Sequence, residues 1–464
     1  MIKSVFFYTA AFFIAAFLLL SLSGCESAPP EDTAAPALAP APPEWSYDAT
    51  IYEVNVRQFS EEGSFAKVEE ALPRLKDLGV EILWLMPIHP IGEVERKGPL
   101  GSYYSVKDYF GINPAFGDEA SFRSLVEAAH RHDMKLILDW VANHTAWDNP
   151  LTETHPEFYE TDENGSFIPP RGTDWSDVIQ LDYTNPELRD YMASALRYWV
   201  EEFNIDGYRA DVAYYVPTDF WNRVRRELDA IKPVFMLAEA YEPELHPAFD
   251  MSYHWDFHHL MNRIAQGEAG PDDIDAQFAA TKEAFGEDAF MMNFITNHDE
   301  NSWAGTTFDR LGDAKEAFAV LTATVEGMPL LYNGQETGLD KQLEFFQKDP
   351  ITWNYESKYV DFYTRLMHLK RDHPALQNGS RGAAMQRINT SQDDAIYAFS
   401  RRTGEKEVVV LLNLSNEPQR EIRLRHDAGQ AVFTSLFEHS APTAEMPLPQ
   451  TLDFGAWEYH VFYR

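Results

Sequence analysis

Between residues 50 and 334 a short, nearly continuous apolar run is followed by a connecting stretch, usually at helical spacing, and the alternation gives eight runs in all. The runs are TIYEVNVRQF (50–59), EILWLMPI (81–88), KLILDWVAN (135–143), IDGYRADVA (205–213), VFMLAEA (234–240), a weaker run at 252–257, FMMNFITNHD (290–299) and MPLLYNG (328–334). Helical spacing is read at 65–78, 122–132, 186–203, 219–231, 273–285 and 314–326. Strands without polar alternation belong to a parallel sheet covered on both faces. Eight such units predict an α/β fold, a (β/α)8 TIM barrel. A doubly wound open sheet is the alternative, and no GxGxxG follows the first strand to support it.

Two departures from the beat define further parts. About forty residues rich in Pro, Asp, Thr and Trp separate Asn143 from Asn185, far more than a compact connection needs. Residues 145–185 are therefore expected to form a small excursion domain over the barrel mouth, within a catalytic unit of residues 45–378. After Pro374 the beat stops, and AIYAFSRR, a turn at Gly404-Glu405, EVVVLLNLS and WEYHVFYR predict a C-terminal antiparallel β-sandwich over 379–464.

The chemistry of such a barrel sits at the C-terminal ends of its strands. Those ends supply Asp139, Asn143 and His144, then Arg209 and Asp211, then Glu239, then Asn297, His298 and Asp299. Arg209 and Asp211 stand two apart, on one side of a strand, and a charged pair there is costly unless paired or used. One strand-end Asp is ordinarily a cap or an ion-pair partner; four carboxylates from four strands point to a site. Glycoside hydrolysis uses two carboxyls, one donating a proton to the leaving oxygen and one attacking or activating water. Metal-dependent hydrolysis usually draws on several His, and the first strand has none. His89 and Trp84 read as wall or core.

Composition narrows the partners. The 464 residues carry a net charge of −36, which opposes nucleic acid and anionic lipid as partners but not a neutral sugar. The single cysteine, Cys25, rules out disulfides within the chain and leaves thiol catalysis without a candidate.

The segments DWVANH (139–144), GYRADVA (207–213), AEA around Glu239 and NHD (297–299) resemble, in order, the four signature regions of the α-amylase family of glycoside hydrolases. GSYYSVKDYFGINPAFG (101–117) and VIQLDYTNP (178–186) are similar to two further family segments. The resemblance runs from about Trp45 to the C-terminus. It implies Asp211 as nucleophile, Glu239 as general acid/base and Asp299 as the carboxylate that stabilises the transition state. It implies Arg209 as the group that orients the nucleophile and keeps it ionised, His144 and His298 as sugar-binding histidines, and Tyr104 as the platform under that sugar. Asp139 is implied as a mainly structural carboxylate. Asn143 stands at the family's calcium-ligand position, with a purely structural role as the alternative; no organic cofactor is implied. Tyr214 and Tyr215 replace the Lys-His of many starch-binding members, which points to the branch acting on cyclic or short α-glucans. Either one of them faces the cleft or both pack under the excursion domain, with Trp147 or Trp175 as a further platform. The implied activity is retaining hydrolysis of α-1,4 bonds in starch-derived maltodextrins. The alternatives are a transglycosylase or trehalose-forming isomerase on the same residues, or a non-catalytic glucan-binding lipoprotein.

The N-terminus reads as an address. Lys3, an apolar stretch at 5–20 and LSGC (22–25) form a signal peptide whose end resembles a bacterial lipobox with Cys25 as the lipidated residue. A Pro/Ala-rich tether follows at 26–44. The expected location is the cell envelope, on the outer membrane or cell surface, facing outward or into the periplasm, with the membrane met only through the lipid.

Overall fold

The computed structural model describes residues 41–426, 429, 431–437 and 446–464. The leader, Cys25 and nearly all of the tether lie outside them. Eight parallel strands close on themselves: β1 (Ile51–Val54), β2 (Ile82–Leu85), β3 (Lys135–Trp140), β4 (Gly207–Ala210), β5 (Phe235–Ala238), β6 (Met251–Tyr253), β7 (Phe290–Asn293) and β8 (Met328–Tyr332), with β8 pairing back onto β1. The predicted barrel is therefore present.

Helices cover it, and their limits follow from sequence. The helix Phe65–Leu78 buries Phe65, Val68, Leu72 and Leu75, which share one face, and stops where Gly79 takes φ 97°. Asp118 and Ser121 form a reciprocal cap that starts Glu119–Arg131. Asn185 accepts from the Glu187 and Leu188 amides to start Pro186–Phe203.

Two runs are shorter than their composition suggests. The first strand ends at Val54 because the Asn55 side chain caps a helical turn, Val56–Phe59, accepting from Gln58 N. The weak run at 252–257 is a strand only at Met251–Tyr253, and a helix, Trp255–Ala265, begins two residues later.

Period two along each strand builds the interior. Ile51, Ile82, Trp84, Ile137, Phe235, Leu237, Met251, Tyr253, Phe290, Met292, Met328 and Leu330 form one buried cluster inside the barrel. Continuing two residues further along several of these strands reaches Glu53, Asp139 and Glu239. On β4 the inward positions are Gly207, Arg209 and Asp211. Gly207, at φ 149°, is required here: a Cβ would lie 1.9 Å from Phe235 O. An apolar plug thus lies below a charged layer.

The excursion carries a short antiparallel pair, His144–Ala146 with Val178–Gln180. In the C-terminal domain Ile396–Thr403 and Lys406–Asn413 pair across the two-residue turn Gly404-Glu405. A second small sheet, Gln419–Arg423 with Thr451–Phe454, shares its core with the first through Ile422, Phe454, Val409, Leu411 and Phe462.

Candidate active site

Arg209 organises the charged layer. Its Nη1 donates to Asp139 Oδ1 at 2.8 Å and to Asp211 Oδ1 at 3.0 Å, and its Nε to the Tyr253 hydroxyl at 3.2 Å. Its Nη2 lies 2.8 Å from Glu239 Oε2, an ion contact without hydrogen-bond alignment. The guanidinium is fully buried, so one cation faces three carboxylates where little water can screen them. Glu239 is also held by the Val212 amide at 2.8 Å. Val212 follows Asp211 and sits at φ 36°, ψ 51°, an uncommon conformation for a β-branched residue. The strained turn aims that amide at Glu239.

A second chain of contacts starts at a residue the strand-end reading passed over. Glu53 Oε1 meets His298 Nδ1 at 2.5 Å, and the His298 amide donates to Glu53 Oε2 at 3.3 Å. His298 Nε2 lies 2.8 Å from the Tyr104 hydroxyl and 3.3 Å from Asp299 Oδ2. The Tyr104 hydroxyl donates to Asp139 Oδ2 at 3.1 Å, where the Trp84 indole donates as well, at 3.2 Å. Trp84 is core, as expected, but its N–H supports the site. Glu53 had a sequence signal: it is an acid at an inward position of an otherwise apolar strand.

Burial works against charge on His298, but Asp299 and Glu53 outweigh it and lift the imidazole well above its ordinary value. Loss of solvent works to raise Asp299, and His298 with Arg209 more than compensates, so that carboxyl titrates low. Burial raises Asp139 to about 6 despite Arg209. For Asp211, burial first and the facing Glu239 charge second push the carboxyl well above the usual range, and Arg209 offsets only part of this. The expectation that Arg209 would hold Asp211 down is corrected: the guanidinium is divided among three acids.

His144 is buried, held neutral by that burial with its pKa down to about 3, and lies with Nδ1 3.2 Å from Asn143 Nδ2. The Trp175 ring packs 5.4 Å from it. His89 is core, its Nδ1 3.1 Å from Gly111 O among Tyr109, Trp140 and Trp199. Trp147 donates to Ser176 O and braces the excursion. Tyr214 and Tyr215 depart from both expectations. They lie in a 3-10 turn, Ala213–Tyr215, where strand alternation is lost. Both are exposed, 46 % and 42 %, with rings 4.4 Å apart. Their exposure leaves neither packed under the excursion, and neither is among the residues that line the cavity.

Asn143 tests the calcium expectation. Gln180 Nε2 donates to Asn143 Oδ1 at 2.8 Å, to Leu181 O at 3.1 Å and to Asn143 O at 3.2 Å. An N–H donor is thus surrounded by three oxygens that a hard cation would need as ligands. The residues around Asn143 do not fit calcium.

Tyr104, His144, Asp211, Glu239, His298 and Asp299 line one open cavity of about 460 Å³, in the range of small-ligand sites.

The family model for the catalytic domain of alpha amylase matches residues 47–378. An alpha-amylase of Haloarcula japonica is 28% identical over 396 residues, covering 81% of this chain and 57% of that protein. The chain thus spans little more than half of that relative. A maltogenic alpha-amylase of Thermotoga neapolitana superposes with a TM-score of 0.80 at 29% identity, covering 90% of this chain and 99% of that one. An alpha-amylase of Lactobacillus plantarum does so with a TM-score of 0.80 at 30% identity and the same coverage.

Proposed function

Because the chain belongs to the alpha-amylase family, we propose that it is a retaining hydrolase of α-1,4-linked glucans, acting on maltodextrins. The observation that carries this reading is the single buried guanidinium in contact with Asp139, Asp211 and Glu239. Asp211 attacks the anomeric carbon while Glu239 gives its proton to the leaving oxygen. Water, deprotonated by Glu239, then hydrolyses the glycosyl–Asp211 ester. Asp299 and the charged His298 hold the hydroxyls of the reacting sugar, His144 donates from a neutral ring, and Tyr104 forms the floor. Asp139 keeps Arg209 and Tyr104 in place. Two carboxyls held by one guanidinium and by adjacent backbone favour the short spacing of retention over the wider gap of inversion. NMR of the first products from a maltodextrin should therefore show α-anomers. β-Anomers appearing first would sink the mechanism.

Calcium independence belongs to the same reading, since the Gln180 amide donates to Asn143 Oδ1, an oxygen a bound cation would need as a ligand. Thermal unfolding should give the same Tm in excess EDTA and in millimolar calcium. A Tm several degrees higher with calcium would put a cation back in the site.

The lipoprotein form completes it. Processing before Cys25 and acylation there would hold the enzyme on a bacterial membrane, the tether carrying the barrel clear of the surface. No helix among the described residues is long and apolar enough to cross a membrane. Native protein should enter the detergent phase of a phase-separating extraction and Cys25→Ser the aqueous phase; identical partitioning would refute the anchor.

A further inference from the structure

We propose that an ion bridge from Lys97 to the excursion domain closes the glycone end of the cleft, so that the enzyme removes short fragments of fixed size from non-reducing chain ends. This rests on the reading of the chain as a glucan hydrolase. The direction of the cleft follows from its chemistry. The leaving group lies on the side of Glu239, the proton donor. The retained sugar lies against Tyr104, His298 and Asp299, and its preceding units extend beyond them.

Lys97, Asp174 and Asp177 line the same cavity as those residues. Lys97 Nζ is 3.2 Å from Asp177 Oδ1 and donates to Asp174 O at 3.0 Å. Asp177 is buried, and its carbonyl accepts from Ser105 Oγ at 3.0 Å. The bridge therefore joins the loop after β2 to an anchored piece of the excursion. The same loop is fixed on its other flank. The Leu100 amide donates to Phe346 O at 2.9 Å, and Arg57 Nη1 donates to both Gly101 O and Phe345 O at 3.0 Å. Trp303, 59 % exposed, packs its ring 5.1 Å from Phe345 and lines the same cavity as Asp299, continuing the wall to the catalytic layer.

Lys97 is the one lysine among the described residues lining this cavity, in a chain with 74 acidic and 38 Lys or Arg residues. Its ammonium has a double role. It ties two loops, and it offers a donor to the terminal hydroxyls of a chain that can go no further. A cavity of about 460 Å³, shared between both sides of the cleaved bond, holds only a few sugars.

The test is the first-product pattern on maltoheptaose labelled at its reducing end. The wild type should release one dominant unlabelled fragment, leaving the label on the remainder. Lys97→Ala, with a second opening variant Asp177→Asn, should lower the ratio of that fragment to all others by about fivefold, and Lys97→Arg should restore it. Matched Tm values report folding. A ladder of fragments from the wild type overturns the inference while leaving the hydrolase reading intact. So does an unchanged pattern in both opening variants. Absence of hydrolysis on any glucan overturns the hydrolase reading and the inference with it.

Discussion

Asp211→Asn should leave the barrel folded and lower kcat by about 10⁴-fold or more, the scale on which loss of a nucleophile acts. The amide keeps the shape of the carboxylate and can still meet Arg209, so the fold has no reason to fail. On the proposed mechanism, what is lost is the group that forms the covalent intermediate. The ionisation of Asp211 gives the prediction a second arm. Its pKa is raised by burial and by the facing Glu239 charge. The nucleophile must be ionised, so activity falls as pH drops through that pKa. Glu239→Gln removes any Glu239 charge facing Asp211, so the acid limb of kcat/KM should lie no higher in pH than in the wild type. A glycosyl fluoride is the substrate for this measurement, because its leaving group needs little acid assistance. Wild-type turnover in Asp211→Asn would remove the nucleophile assignment. An acid limb that moves upward in Glu239→Gln would remove the coupling.

Arg209→Met should destabilise the fold by about 3–5 kcal/mol at pH 8, as breaking a buried ion pair from one side does, and should abolish turnover. The sulfur-containing side chain fills most of the volume, so the loss is electrostatic. Asp139, Asp211 and Glu239 would be left facing one another without a cation. The sign of the pH dependence follows. Without Arg209, Asp139 and Asp211, already raised, rise further above their unfolded values. Carboxyls with raised folded pKa values contribute most stability where they are protonated in both states, and that contribution is lost as pH climbs through the folded pKa. The variant should therefore be less impaired at pH 5 than at pH 8. Urea unfolding of wild type and variant at both values measures this, and an equal or larger deficit at pH 5 would contradict the account. Arg209→Lys keeps a charge but loses the fork that reaches three acids. It should fall between the two in stability and remain poorly active.

The sequence alone determined the architecture and the acids. Alternating apolar runs and helical stretches leave few ways to bury both faces of every strand, and closure into a barrel is one of them. Period two along a strand is a local property, so the inward succession from Gly207 through Arg209 to Asp211 is written in the chain. Glu53 obeys the same rule, two residues after Ile51, and was legible to a reading that extended it to the first strand. The tertiary structure alone decided the balance of charge. Whether Asp211 is held down or pushed up depends on burial and on how many acids share Arg209. Those acids, Asp139 and Glu239, arrive from strands distant in sequence. The same holds for Tyr214 and Tyr215, whose direction depends on the strained turn at Val212 rather than on strand alternation. It holds for Gln180, whose amide reaches Asn143 only once the excursion folds back over the barrel. Pattern along the chain fixes which way a side chain points within an element; energies that fall off with distance in space depend on which elements meet.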